Sequence, residues 1–132
     1  LINSCVSHER TNSASEEKLI IRKKDQRSEE RVNVRNGEGT IAFTHRAPPE
    51  VFHHEKMMAE IVIPPGASIG LHDHKGEVEY YIVQSGQGLV HDNGIEATVR
   101  KGDCVITGNG SAHSIKNTGT APLVFEAFII GY

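Results

Sequence analysis

Residues 66–86 read GASIGLHDHKGEVEYYIVQSG, and the fold turns on how this stretch is laid out. Two β-type runs, Ile69 to His74 and Val78 to Gln84, are separated by a turn at Gly76 and bounded by Gly66 and Gly86. Side chains two apart on a strand share a face, so His72 and His74 offer two imidazoles to one point while Asp73 faces away. Glu79 opens the second run, where a hairpin-like return brings its carboxylate beside the pair. The stretch is a strand pair that carries a chelating set.

Outward from it, the chain keeps the same grain. Upstream, Thr40 to Thr44 reads as a strand, Ala47-Pro48-Pro49 breaks it, and Met57 to Ile63 reads as another that Pro64-Pro65-Gly66 ends. Downstream come Gln87 to His91, Ile95 to Arg100, Cys104 to Thr107, Ala112 to Lys116 and Leu123 to Ile129. Asp92-Asn93-Gly94 suits a tight hairpin, because Asn and Gly accept the positive φ such turns demand. No stretch from Thr40 onward holds a 3.6-residue apolar period. Short strands between glycine-rich turns predict an all-β sandwich, jelly roll or barrel.

His113 lies far along the chain in another short strand. A closed, rolled-up sheet would bring it to the centre that His72, His74 and Glu79 face, as a fourth ligand. Imidazole and carboxylate suit Mn, Fe, Co, Ni, Cu or Zn, so the expected cofactor is one divalent transition metal. Three histidines and one carboxylate on an octahedral ion leave two positions open.

These residues resemble a known family. Gly66, five residues, His72-Asp73-His74, four residues, Glu79, six residues, Gly86 matches the first cupin motif in identity and spacing. Gly102, five residues, Gly108-Asn109-Gly110, two residues, His113, three residues, Asn117 resembles the second, except that the family usually has Pro where Gly108 stands. The resemblance covers about 57–129 and, more loosely, the strands from Thr40. It implies the double-stranded β-helix of cupins, a small jelly-roll barrel with the metal inside. The Gly108 departure touches a turn before His113 and no ligand.

The remainder of the chain sets bounds. At 132 residues it is long enough for one ordinary core and too short for two domains of typical size. Residues 1–18 are polar and read as a flexible tail, leaving 19–132 as a single domain; Leu19-Ile20-Ile21 reads as the start of an outer strand or a contact with a partner, and Arg22 to Arg31 as a solvated loop or short helix. Hydrophobic residues make up 37% and charged residues 23%, with a formal charge of -3, which argues against a bulk attraction to nucleic acid. The longest apolar runs fall far short of the roughly 18 residues that cross a bilayer. Two cysteines, Cys5 and Cys104, form no disulfide or zinc pattern, so a reducing, cytoplasmic setting is expected.

Other candidates carry both a functional and a plain reading. Tyr81 shares a strand face with Glu79 and is a candidate catalytic residue, donating a hydrogen bond to a metal-bound ligand, or else it fills the core. Glu126, a charge within the apolar run 123–130, is either a general acid or base at the pocket or a solvated edge residue. Cys104 reads as a small core residue. His53-His54-Glu55 reads as surface or rim, His45 and His91 as solvent-facing strand ends, and Phe43, Met57, Met58, Phe125 and Phe128 as packing.

Two classes of function fit. The first is a metal-dependent enzyme of lyase, isomerase or dioxygenase type, acting on a small oxygen-bearing metabolite that chelates at the open positions. The resemblance implies carboxylates, keto acids, enols or sugar derivatives, and within the family the segment from Gly66 to Asn117 is similar to single-domain members labelled oxalate decarboxylases. The second is a metal-dependent module that captures or senses such a ligand without turning it over. The exposed sheet edges also predict a homodimer.

Overall fold

Backbone pairing in a computed structural model, which describes residues 20–48 and 54–132, gathers the strands into two antiparallel sheets. β1 (Arg27–Val32), β2 (Thr40–His45), β3 (Glu55–Ile63), β5 (Glu77–Ser85), β8 (Cys104–Gly108) and β10 (Leu123–Gly131) form one, in the order β1-β2-β3-β10-β5-β8. β4 (Ser68–Asp73), β6 (Gln87–Asp92), β7 (Ile95–Arg100) and β9 (Ala112–Asn117) form the other, in the order β4-β9-β6-β7. From β3 onward the chain passes back and forth between the two sheets, except at the β6–β7 hairpin, as in a jelly-roll double-stranded β-helix. Each strand expected from Thr40 onward is present, with ends shifted by at most two residues. Among the described residues no helix is long and apolar enough to cross a membrane.

Period-two alternation decides what each strand buries. Ile41 and Phe43 on β2, Ile61 and Ile63 on β3, Tyr81 and Val83 on β5, and Leu123, Phe125 and Ala127 on β10 all point into one core. Asn93 and Gly94 take φ of 51° and 83°, so the β6–β7 hairpin closes through two left-handed residues, as its sequence foretells. Asn117, which is 1% exposed, has a stapling role: its Nδ2 donates to the carbonyls of Ile63 and Ala121, each at 2.8 Å, and its Oδ1 accepts from Gly119 N.

Several expectations need correction. Arg22 to Arg31 is neither loop nor helix throughout: after a short 3-10 turn at Lys23–Asp25 it enters β1. The sequence hides this strand because β1 is an edge with almost every side chain in water, so no apolar alternation marks it. Ile20 and Ile21 lie outside any strand. His45 is buried, not solvent-facing, because it follows Ile41 and Phe43 on the inward side of β2. Cys104 is exposed, since Val105 and Thr107 are the inward residues of β8. His54 is exposed at the entry to β3, whereas His53 and the tail at 1–18 fall outside the described residues.

Besides its backbone ladder with β2, β1 is tied down through Glu29. Its carboxylate accepts from Arg31 at 2.7 Å, Arg27 at 3.1 Å and His45 Nε2 at 2.5 Å, which bridges β1 to β2. The Arg31 contact, then His45, lowers the Glu29 pKa from 4.5 to about 2. A carboxylate whose pKa is lower folded than unfolded stabilises the fold above the unfolded value and loses that contribution as pH falls through the folded one. Glu29→Gln should therefore cost about 1 kcal/mol in urea unfolding at pH 7. The gap to wild type should close as pH is lowered from 4.5 toward 2.

Candidate metal centre

β4 does not keep strict alternation, and the break creates the site. Ile69 pairs with Ile115 and His72 with His113, so three steps along β4 match two along β9. One extra residue is thus bulged into the span Gly70–Leu71. Ile69 points inward; without the bulge Leu71 would follow it in and His72 would face water. Instead Leu71 is 64% exposed, while His72 and His74 enter the barrel. Gly70 is required here because a Cβ would lie 2.0 Å from the Arg35 carbonyl, where the turn Val34–Asn36 crosses β4.

Glu79 arrives from β5 and His113 from β9. His74 lies just beyond β4 and is clamped by the 108–111 loop: its N–H donates to Ser111 O at 3.1 Å, and its carbonyl accepts from Gly110 N at 2.8 Å. The loop is thereby fixed although Gly108 stands where Pro is usual. Four side chains from separate parts of the chain converge. His113 Nε2 lies 3.2 Å from His72 Nε2, 3.1 Å from His74 Nε2 and 3.1 Å from Glu79 Oε1. His74 Nε2 lies 2.9 Å from the same Glu79 oxygen, and His72 Nε2 lies 4.0 Å from it.

Neighbouring donors about 3 Å apart suit an ion with bonds of about 2.1 Å. The outer ring nitrogens agree with that use. His72 Nδ1 faces Gly70 O at 2.8 Å, and His74 Nδ1 faces Glu77 Oε2 at 2.6 Å. His113 Nδ1 faces Thr107 Oγ1 at 2.9 Å, and that hydroxyl donates to Asp92 Oδ2 at 2.7 Å. A carbonyl and a carboxylate only accept, and the Thr107 proton is spent on Asp92, so each Nδ1 carries the hydrogen. Each Nε2 lone pair is then directed at the centre, as metal-bound histidines require. The four residues could hold one metal ion.

The electrostatics match. Burial would raise the Glu79 carboxyl, but the imidazoles of His113, His72 and His74 around it outweigh burial and hold the group far below the ordinary range. His74 is raised above 6.5, chiefly because Glu79 favours the protonated ring, against burial and with help from Glu77. Tyr81 stacks on His113 at 5.0 Å between ring centroids, with its Oη 3.5 Å from His113 Nε2. Burial, then the Glu79 charge, pushes the Tyr81 phenol well above 10, so it stays protonated.

Of the two candidate catalytic residues, Tyr81 is brought to the cluster and Glu126 is not. Glu126 alternates with the buried Phe125 and Ala127, so it leaves the barrel on the other face of β10. There Arg46 Nη2 holds it at 2.8 Å. Glu77, Thr107 and Asp92, the partners of the imidazoles, escaped the sequence reading. Glu77 alone had a local signal, three residues after His74 across the Gly76 turn; Asp92 is brought to His113 by the β6–β9 pairing, and Thr107 reaches it across the two sheets.

Comparison with known proteins agrees with this geometry. A family model described as a cupin domain matches residues 59–130, more than half of the chain. A Thermotoga maritima protein named oxalate-binding protein is 38% identical over 113 residues, 85% of this chain and 93% of that one. A Thermotoga maritima crystal structure described as a predicted oxalate decarboxylase superposes with a TM-score of 0.81 at 38% identity, covering 86% of this chain and 99% of that one. The cupin domain of Schizosaccharomyces pombe Cnp3 superposes with a TM-score of 0.64 at 16% identity, covering 81% and 88%, a likeness of fold alone.

Two outcomes are expected. Affinity for a divalent transition metal, titrated at pH 7.5 and 5.5, should be weaker at the lower pH, because a protonated imidazole cannot bind. The loss should set in above 6.5, where His74 already takes up its proton. Gly70→Ala should lower unfolding stability by about 3 kcal/mol and abolish metal uptake, since the added methyl displaces the bulge that aims His72.

Proposed function

The chain belongs to the cupin domain family, and from that premise we propose that it holds one divalent transition metal through His72, His74, Glu79 and His113 and captures a small dicarboxylate of the oxalate class there. The observation that carries this reading is the convergence of three Nε2 lone pairs and one carboxylate, with every Nδ1 hydrogen committed elsewhere. Three neutral imidazoles and one carboxylate leave a divalent ion with net positive charge, which favours an anionic oxygen ligand. The ion would act as a Lewis acid and anchor for such a ligand.

The protein's own groups fit that task. Tyr81 keeps its proton and presents a neutral donor beside the cluster, suited to a carboxylate oxygen. Glu77 and Asp92 are occupied as acceptors from His74 and Thr107, so neither is free to take up and release a substrate proton. Glu126 is turned away and paired with Arg46. Among the described residues this favours capture over turnover. The name of the Thermotoga maritima oxalate-binding protein points the same way. Turnover is the second reading, favoured by one observation: loss of carbon dioxide from oxalate needs a proton delivered to carbon, and the Tyr81 phenol is positioned to carry one.

Calorimetric titration of the Mn- or Zn-loaded chain with oxalate, joined to a formate assay, separates the readings. Saturable binding that disappears in His72→Ala or after chelation, without formate, is the expected result. Formate release that is lost in Tyr81→Phe would favour turnover, and no binding to the loaded chain would reject both.

A further inference from the structure

The three histidines of the cluster do not have equal partners. His72 leans on a backbone carbonyl and His113 on a neutral hydroxyl, whereas His74 leans on a carboxylate. That carboxylate is itself gripped from outside. Glu77 Oε1 accepts from Lys56 Nζ on β3 at 3.1 Å, while Oε2 faces His74 Nδ1 at 2.6 Å. The Glu77 side chain is 20% exposed and that of Lys56 is 47%, so a chain of contacts runs from a surface ammonium to the His74 side chain, which is 2% exposed.

We propose that Glu77, braced by Lys56, is a positioning residue that locks His74 in its Nδ1–H tautomer and makes it the strongest of the three imidazole donors. The inference rests on the metal reading above. Its chemistry is simple. A carboxylate offers no hydrogen, so only the tautomer with hydrogen on Nδ1 satisfies the contact, and Nε2 is left with its lone pair inward. Negative charge at the outer nitrogen also increases electron density at the inner one, which a backbone carbonyl does more weakly. The Gly76 turn, with φ of 69°, returns the chain so that Glu77 lies beneath the imidazole it follows by three residues. Lys56 occupies the second carboxylate oxygen and fixes the rotamer.

Glu77→Gln is nearly isosteric but can donate as well as accept, so it permits either tautomer. Nitrogen-15 NMR of the metal-free wild type should show the His74 Nε2 signal of an unprotonated ring nitrogen at pH 8, and the variant should show a mixture. Co(II) titration, followed by visible absorption, should give an affinity about 10- to 100-fold weaker in the variant, with a shifted absorption band. An unchanged tautomer together with unchanged Co(II) affinity would overturn the proposal. Should Glu77→Gln not fold, Lys56→Met gives the decision: a severalfold fall in affinity supports it, and no fall overturns it. If the wild type takes up no Co(II), the metal reading fails instead, while the His74 tautomer in the metal-free chain still decides this one.

Discussion

One surplus residue in β4 is the constraint on which the centre depends. Strands of a rolled sheet turn alternate side chains inward, and Ile69, by belonging to the core, sets the phase of everything after it. The bulge at Gly70–Leu71 reverses that phase, so an aliphatic residue leaves the barrel and two imidazoles enter it. The same bulge supplies the Gly70 carbonyl that receives the His72 Nδ1 hydrogen. Local backbone geometry, donor orientation and tautomer are thus set by a single irregularity, held down by the Arg35 turn that leaves no room for a side chain at residue 70.

Burial makes the arrangement demanding. Three ring nitrogens with lone pairs facing inward repel one another, and polar atoms withdrawn from water without a partner cost about 1–3 kcal/mol each. The barrel bears this because every outer nitrogen is satisfied by a rigid acceptor and because His74 is pinned on both backbone sides by the 108–111 loop. Glu79 adds a negative charge to this concentration of lone pairs and stays ionised in spite of its burial. A cation at the common point would complete the balance, which connects the packing of the sheets to the chemistry proposed for them.

Much of this was legible in the sequence, and the exceptions share a cause. The strands from Thr40, the Asn93-Gly94 hairpin and the four converging residues were readable because alternation, turn chemistry and motif spacing are local in the chain. β1 was not, since an edge strand wet on both faces carries no apolar pattern. His45, Cys104 and Glu126 show a subtler failure. Each lies on a strand whose phase is set by neighbours, Phe43, Val105 and Phe125 respectively, and counting by two from those residues places His45 inward and the other two outward. Strand phase, and not charge or residue type, decides which way each of the three points. Thr107 and Asp92 lay beyond any such count, because Asp92 meets His113 through the β6–β9 pairing and Thr107 meets both from the opposite sheet.

The likeness to other cupins separates into two layers with different reach. A superposition at 16% identity conveys the barrel and nothing of its chemistry, since a fold hosts many activities. The four inward donors are a general device that fits several metals and many oxygen ligands. What completes this centre is the ring outside them: a carbonyl, a hydroxyl relayed to Asp92, and a carboxylate tied to Lys56. Those partners set how tightly each imidazole gives up its lone pair and how firmly each ring is held. Because two of the three partners are side chains brought in by β5 and β8, substitutions on these strands can retune the centre while leaving all four ligands, and the barrel, in place.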